Sequence, residues 1–237
     1  MSPRPFVLVH GAWHGAWCWH TVADLLRAQG HQVLTPTLAG LGERAHLLSS
    51  EITLDTHIAD IVDVFEREHL QQAMLVAHSY GGWPTSGALE KIHDRVTTLV
   101  FLDAHLPQNG DRGIDTSNHR DNIIADRDAG KPGIAPPQAS EFVSAQHSTW
   151  VQSMMTPHPI GAYFQPIHLT GGRERVGHKV YLRTTGYASE RFDACRETAR
   201  QNGWDVRDIS CAHDMMIDEP QLLGHILTTF AAASLAA

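Results

Sequence analysis

Cysteine is scarce in this chain: three residues in 237, at Cys18, Cys195 and Cys211. They are odd in number and show no CxxC spacing, which argues against a disulfide framework and against a cysteine-based zinc site. Long apolar runs are missing too. No stretch approaches the roughly 18 consecutive apolar residues of a membrane-spanning helix. The first apolar run, Phe6-Val7-Leu8-Val9, follows Met1-Ser2-Pro3-Arg4-Pro5 and is too short for a signal-peptide core, so a cytoplasmic protein is expected. Basic residues are in deficit, with 18 Lys and Arg against 26 Asp and Glu and a formal charge of −8. That balance excludes a broad basic face for nucleic acid or an anionic membrane. What is abundant is histidine, at 17 residues, enough to make the net charge sensitive to mild acid. Yet there is no HExxH, and the pairs His10/His14 and His14/His20 flank a Gly-rich loop and a helix start, not one helix face. No metal and no cofactor are expected.

The remaining 42% hydrophobic content suffices for one substantial core. The first half alternates strand and helix signals. Phe6–His10 is a short continuous apolar run, the pattern of a strand buried on both faces; Ala73–Ala77 reads as another buried strand and Thr97–Asp103 is again strand-like. Gln32–Pro36 is a weaker strand candidate. Ala16–Gln29 and Asp55–Glu68 carry apolar residues at helical spacing, and a third helix is expected from just past Ser79 to Ile92. After Ala104 the rhythm breaks into a segment rich in Pro, Gly, Asn, Asp and His, too long for a structureless loop. The βα pattern returns with Lys179–Thr185, Arg191–Gln201, Trp204–Ser210 and a last helix over Pro220–Ala233. The expectation is an α/β fold with a mainly parallel sheet and helices on both faces. Its core would comprise 1–104 and 176–237, with 105–175 as an inserted lid.

The sharpest local pattern is Val76-Ala77-His78-Ser79-Tyr80-Gly81-Gly82. A buried strand ends, a serine follows with small residues at −2 and +2, and a helix begins: the signature of a nucleophile elbow. The turn brings backbones too close for large flanking side chains, and the helix start offers N–H groups to a developing oxyanion. His10-Gly11-Ala12-Trp13, at the end of the first strand, supplies the second half of such a site. The expected oxyanion donors are the N–H groups of Ala12 and Tyr80. A base is needed downstream, and His213 follows the last strand and precedes the final helix.

Together these pieces resemble the α/β-hydrolase superfamily, in particular the branch of hydroxynitrile lyases and plant methyl esterases with its bacterial esterase relatives. The resemblance rests on FVLVHGAWHGAWCW (6–19), GHQVLTPTLAGLGER (30–44), LVAHSYGG (75–82), VFLDAHLP (100–107), VYLRTT (180–185) and CAHDMMIDEP (211–220), in that order. It implies a serine hydrolase with the triad Ser79, His213 and an acid. In that branch the acid usually follows the strand matching 179–185, where this chain has Tyr187. Some α/β-hydrolases donate it from the preceding strand, and Asp103 occupies that place, with Asp193 as the fallback. The lyases of the branch carry Thr where this chain has Gly11, and Lys where it has Asp214. Cyanohydrin cleavage is therefore disfavoured.

The implied activity is hydrolysis of a small, largely apolar carboxylic ester. A carbamate or amide hydrolase using the same triad, a hydroxynitrile lyase and a non-catalytic ligand-binding member of the fold are the alternatives. Trp13, Trp83, Leu106, Trp150, Met154 and Phe164 are expected to line the substrate pocket under the lid, with Met155 and Tyr163 beside them. The expected partners are a small-molecule ester and, as one oligomeric option, a second copy of the chain. Of the histidines only His213 is given a chemical role, with His10 and His78 shaping the site.

Overall fold

The computed structural model describes residues 4–117 and 119–233, so the outermost residues of the two expected core segments, 1–3 and 234–237, lie outside the described residues. The first half runs β1 (Phe6–Val9), α1 (His20–Arg27), β2 (Val33–Leu34), α2 (Leu54–Arg67), β3 (Ala73–His78), α3 (Gly82–Ile92) and β4 (Val96–Leu102). Then come α4 (Arg120–Asp128), β5 (Gly133–Ile134), α5 (Ala145–Met154), β6 (His158–Pro159) and α6 (Gly161–Phe164). The chain closes with β7 (His178–Thr184), α7 (Glu190–Gln201), β8 (Asp205–Ile209), α8 (Met215–Asp218) and α9 (Pro220–Ala233). Six strands form one sheet in the order β2-β1-β3-β4-β7-β8, and every pairing in it is parallel.

The continuous apolar runs follow from this placement. Successive side chains of a strand point to opposite faces, and here both faces are covered by helices. Val7, Val9, Leu75, Ala77, Leu99, Phe101 and Tyr181 pack with Ile58, Ile61, Phe65 and Leu89 of α2 and α3. Phe6, Leu8, Met74, Val76, Val100, Leu102, Val180 and Leu182 pack with Val22 and Leu26 of α1 and with Leu223, Leu227 and Phe230 of α9. No strand position at the centre of the sheet is left for a polar face.

The register aligns the strand ends. Val9 lies beside Ala77, Ala77 beside Phe101, and Phe101 beside Tyr181. His10, Ser79 and Asp103 therefore emerge along one edge, the carboxyl end of a parallel sheet, where ligands of such folds bind.

Three expected strands end or shrink for physical reasons. Gln32–Pro36 is reduced to two residues at the sheet edge, since Pro36 has no N–H for a ladder. Thr97–Asp103 stops at Leu102 because Asp103 turns into the left-handed region, φ 43°, outside strand geometry. The outer strand β8 is half-exposed and alternates charge (Asp205, Arg207), a common protection for a sheet edge.

Segment 105–175 leaves the sheet between β4 and β7 and has structure of its own. It carries α4, α5 and α6, and β5 pairs with β6 in an antiparallel bridge, Ile134 opposite His158. Ile114, Ile123, Ile134 and Ile160 bury one another in a small separate cluster.

The start of α3 is pressed against the chain leaving β4: a Cβ on Gly82 would run into the backbone of His105. Gly82→Ala is expected to lower the unfolding free energy in urea by about 1–3 kcal/mol, the usual range for overpacking. Gly177→Ala, where a Cβ meets nothing within 4 Å, should leave the transition midpoint nearly in place.

Candidate active site

Ser79 occupies the turn between β3 and α3 with φ 52°. A non-glycine residue in that region is strained and persists only where its surroundings dictate it. The strain has local causes. A Cβ on Gly11 would meet the Ser79 Cβ at 2.9 Å and His78 Nδ1 at 3.0 Å, and a Cβ on Gly81 would meet the His10 carbonyl oxygen at 2.8 Å. The loop after β1 and the serine turn are thus in backbone contact, and only glycine fits between them.

This contact fixes the two N–H groups expected to hold an oxyanion. In a trans peptide the C=O and N–H point in opposite directions. The Gly11 carbonyl accepts a hydrogen bond from His10 Nδ1 at 2.8 Å, which aims the Ala12 N–H the other way. Likewise the Ser79 carbonyl accepts from the His105 N–H at 3.0 Å, which directs the Tyr80 N–H away from it. His10 is itself held, its Nε2 accepting from the Leu38 N–H at 3.1 Å. Burial keeps it neutral, with its pKa lowered to about 3.

His213 is buried and its Nδ1 lies 2.7 Å from Asp103 Oδ2. The imidazole is walled by rings: Phe192 stacks on it at 5.1 Å and 21°, while Tyr187 (4.6 Å), Phe142 (5.7 Å) and His78 (4.5 Å) close the other sides. With Nδ1 committed to Asp103, Nε2 is the nitrogen left to exchange protons. Ser79 and His213 face the same cavity.

It is Asp103 that reaches the imidazole. Asp193, the fallback, instead accepts from Arg183 Nε at 3.0 Å. Arg183 also donates to Asp103 Oδ1 at 3.0 Å, and Thr184 gives Asp103 both its hydroxyl (2.6 Å) and its N–H (3.2 Å). Burial alone would raise the Asp103 pKa, but the His213 bond, the Thr184 hydroxyl and the Arg183 charge outweigh it, and the net shift is downward. The carboxylate stays ionised, as an imidazole partner requires. Tyr187 packs its ring on His213, so it contributes a wall where the family resemblance points to a carboxylate.

A second buried charge pair, not anticipated from the sequence, adjoins this one. His14 Nδ1 lies 2.7 Å from the Ala12 carbonyl oxygen and Nε2 lies 3.0 Å from Asp214 Oδ2. Both neighbours are acceptors, so both ring nitrogens must carry protons and the ring is an imidazolium. Burial opposes that charge, but the Asp214 carboxylate overcomes it and the His14 pKa is raised. For Asp214 burial would act upward, yet His14 holds its pKa down at about 2. The pair ties the triad loop to the oxyanion loop across 200 residues of sequence. His14 is therefore not a surface or packing residue but a structural part of the site, beyond the three histidines the sequence singles out. The same holds for His57, whose Nδ1 accepts from the Tyr80 hydroxyl at 2.8 Å, and for His105, which anchors Ser79.

His78, His213 and Asp214 place ligand atoms within 4.8 Å of one another, close enough to be considered as a cation site. Two of their best donor atoms are already engaged, His213 Nδ1 by Asp103 and Asp214 Oδ2 by His14.

The cavity over Ser79 measures about 390 Å³. Trp13 and Trp83 line it as expected, and so does Tyr163. Four of the expected lining residues are elsewhere. Leu106 is buried in the core beneath the α2/α3 face. Trp150 is 46% exposed and meets Trp17 edge-on. Met154, at the end of α5, packs against the α1/α9 core. Phe164 joins the isoleucine cluster, with the Arg127 guanidinium 4.4 Å above its ring. Leu106, Met154 and Phe164 are taken up by packing and Trp150 is left partly at the surface, so none faces the cavity. Met155 is likewise buried in the core. The walls come instead from Ile123, Ile134, Phe142, Tyr187 and Phe192.

The His14–Asp214 pair makes a pH-dependent contribution with a definite sign. Asp214, with its pKa depressed, adds stability above the ordinary carboxylate range and loses it as pH falls toward about 2. His14, with its pKa raised, adds stability that is complete below about 6.5 and is lost as pH rises through the raised value. His14→Gln strands a buried carboxylate and is expected to cost about 3–5 kcal/mol near pH 6. Unfolding free energies measured from pH 5 to 10 should show the alkaline decline in the native protein and its absence in the variant.

Sequence and fold comparisons place this site among known proteins. The alpha/beta hydrolase family profile matches residues 6–224. The carbendazim hydrolyzing esterase of Nocardioides sp. (strain SG-4G) is 37% identical, across 94% of this chain and 97% of that protein. Methyl jasmonate esterase 1 of Vitis vinifera is 38% identical over 105 residues, 44% of this chain and 40% of that protein. Among solved structures, an extracellular alpha/beta-hydrolase from a Paenibacillus species superposes with a TM-score of 0.84 at 24% identity, covering 96% of this chain and 98% of that one, which supports the fold alone. With a family match over most of its length and a full-length relative at this identity, the chain belongs to the alpha/beta hydrolase family.

Proposed function

We propose that the protein is a serine esterase that cleaves a small carboxylic ester through an acyl-enzyme, with Ser79, His213 and Asp103 as its triad. The observation that carries this reading is the 2.7 Å contact of an ionised, four-fold hydrogen-bonded Asp103 with the Nδ1 of a histidine that shares the Ser79 cavity. His213 takes the Ser79 hydroxyl proton as the oxygen attacks the ester carbonyl. Asp103 fixes the tautomer and stabilises the imidazolium that forms. The oxyanion is held by the Ala12 and Tyr80 N–H groups, set in place before the substrate arrives. The imidazolium then protonates the leaving alcohol, and water enters through the same base to release the acid.

The aromatic walls and the size of the cavity suit a compact, largely apolar substrate body. Segment 105–175 would act as the lid, since Ile123, Ile134 and Phe142 come from it. A relative named for hydrolysing carbendazim and plant relatives named as methyl esterases fit such a pocket. The lyase reading fits poorly, because the position after His213 holds an ionised aspartate tied to His14. Among the described residues no helix is long and apolar enough to cross a membrane. The three cysteines are free thiols, which supports a cytoplasmic setting.

Ser79→Ala is expected to abolish hydrolysis of 4-nitrophenyl acetate and labelling by a fluorophosphonate while leaving the circular dichroism spectrum unchanged. Asp103→Asn should lower kcat by about 10⁴-fold, the size of effect seen when a triad acid loses its charge. Asp193→Asn should cost far less. Unimpaired turnover in Ser79→Ala would overturn the esterase reading, and a larger loss at Asp193 than at Asp103 would move the acid.

A further inference from the structure

We infer that Arg191 forms a carboxylate-binding subsite in the catalytic cavity, so that the preferred substrates are half-esters, with an ester at one end and a carboxylate at the other. The inference rests on the esterase reading of the site and specifies its substrate class.

Arg191 stands apart from the other arginines. Every other described arginine except Arg4 has a carboxylate within ion-pair distance, and Arg4 donates to the Thr97 hydroxyl at 2.9 Å. Arg191 alone has neither an ion pair nor a hydrogen bond among the described residues, although it is half-buried and lines the cavity. Five unused N–H donors in a planar fork are the geometry that a carboxylate satisfies bidentately.

Its surroundings leave the charge uncompensated. Burial pulls its pKa down, and the groups among the described residues that act the other way are Cys195 and Tyr163, both uncharged near neutrality. His105, which feels the Arg191 charge, is kept neutral chiefly by burial, with its pKa lowered to about 3. The acids on the cavity wall are occupied or remote. Asp126 is paired with Lys131 at 2.7 Å and Asp214 with His14 at 3.0 Å, while Glu141 is exposed and makes its influence felt at Tyr187.

The cation shares its cavity with Ser79 and His213, and its charge is felt at His105. Phe192, its neighbour on α7, stacks on the His213 ring and lies 5.1 Å from the His105 ring, and the His105 N–H holds the Ser79 carbonyl. A carboxylate on Arg191 would therefore leave the far end of a short acyl chain at the nucleophile.

The test compares two 4-nitrophenyl esters, the glutarate half-ester and the pentanoate, in which a methyl replaces the carboxylate, with Ser79→Ala as the blank. The native protein is expected to favour the half-ester in kcat/KM by at least about 10-fold, the lower end for a bidentate charge-assisted contact. Arg191→Gln should reduce that ratio to about 1, and Arg191→Lys should give an intermediate value. Arg67→Gln, an exposed arginine paired with Asp63, should keep the native ratio and so controls for net charge. Binding of monomethyl glutarate to Ser79→Ala, measured by calorimetry, should weaken by a similar factor when Arg191→Gln is added. A native ratio near 1 that Arg191→Gln does not change would overturn the subsite and leave the esterase standing. Failure of the native protein to hydrolyse either ester would instead overturn the esterase reading.

Discussion

A single buried carboxylate, Asp103, determines how the carboxyl edge of the sheet is assembled. An ion in that position is tolerated only if its charge and its lone pairs are met, and two separate parts of the chain meet them. The last residues of β7 supply Arg183 and Thr184, and the loop after β8 supplies His213. Arg183 extends the hold, donating to the Thr184, Tyr187 and Ser189 carbonyls and to Asp193, and so fixes the turn from β7 into α7. That turn carries Tyr187 and leads into the first turn of α7 with Phe192, two of the walls of the imidazole. The position of the base, the shape of its pocket and the state of its acid are thus consequences of satisfying one anion.

The histidines follow the same logic with a different result for each. Seven of the 17 are buried, and burial drives an imidazole toward its neutral form. For His10, His57 and His78 nothing outweighs that pressure, and their pKa values fall to between about 3 and about 4. Each of the first two then serves as one donor and one acceptor, which suits a ring that must join two backbone or hydroxyl partners. His14 alone faces two acceptors, one of them charged, and so is held protonated. The residue type that looked like a metal clue is used here mainly as a bifunctional hydrogen-bond link behind the oxyanion loop and the serine turn.

Much of the fold was legible because the physical signal was local. A strand covered on both faces must be a short continuous apolar run, and Phe6–Val9, Ala73–His78 and Val96–Leu102 are such runs. The serine turn was legible for a similar reason, since its steric crowding forces small residues at Ala77 and Gly81. What could not be read were facts about which side a residue faces or which distant residue it meets. Leu106, Trp150, Met154 and Phe164 have the composition of pocket walls, yet all four are consumed by packing or left at the surface. His14 and Asp214 were visible only as separate residues, because nothing in either neighbourhood records the other. Arg191 carried no signal either. Its distinction is the absence of any ion pair or hydrogen bond among the described residues, and that becomes apparent only when the partners of the other arginines are known.

The backbone strain points to the same edge. Among the described residues five non-glycine positions have positive φ, and three of them, Trp13, Ser79 and Asp103, stand at the carboxyl ends of β1, β3 and β4. Such conformations cost about 1–3 kcal/mol each and endure only where contacts over-determine them. Those contacts are identifiable. Trp13 is held by its Nε1–H on the Ile134 carbonyl at 3.1 Å and by stacking on Phe142. Ser79 is held by its carbonyl bond from His105 and by the close approach of Gly11, and Asp103 by its four donors. In each case the anchoring partner comes from a different segment of the chain from the strained residue. The strain at this edge is therefore stable only once β4, β7, the segment carrying Ile134 and Phe142, and the loop after β8 are all in place, so the reactive geometry and the completed tertiary fold form together.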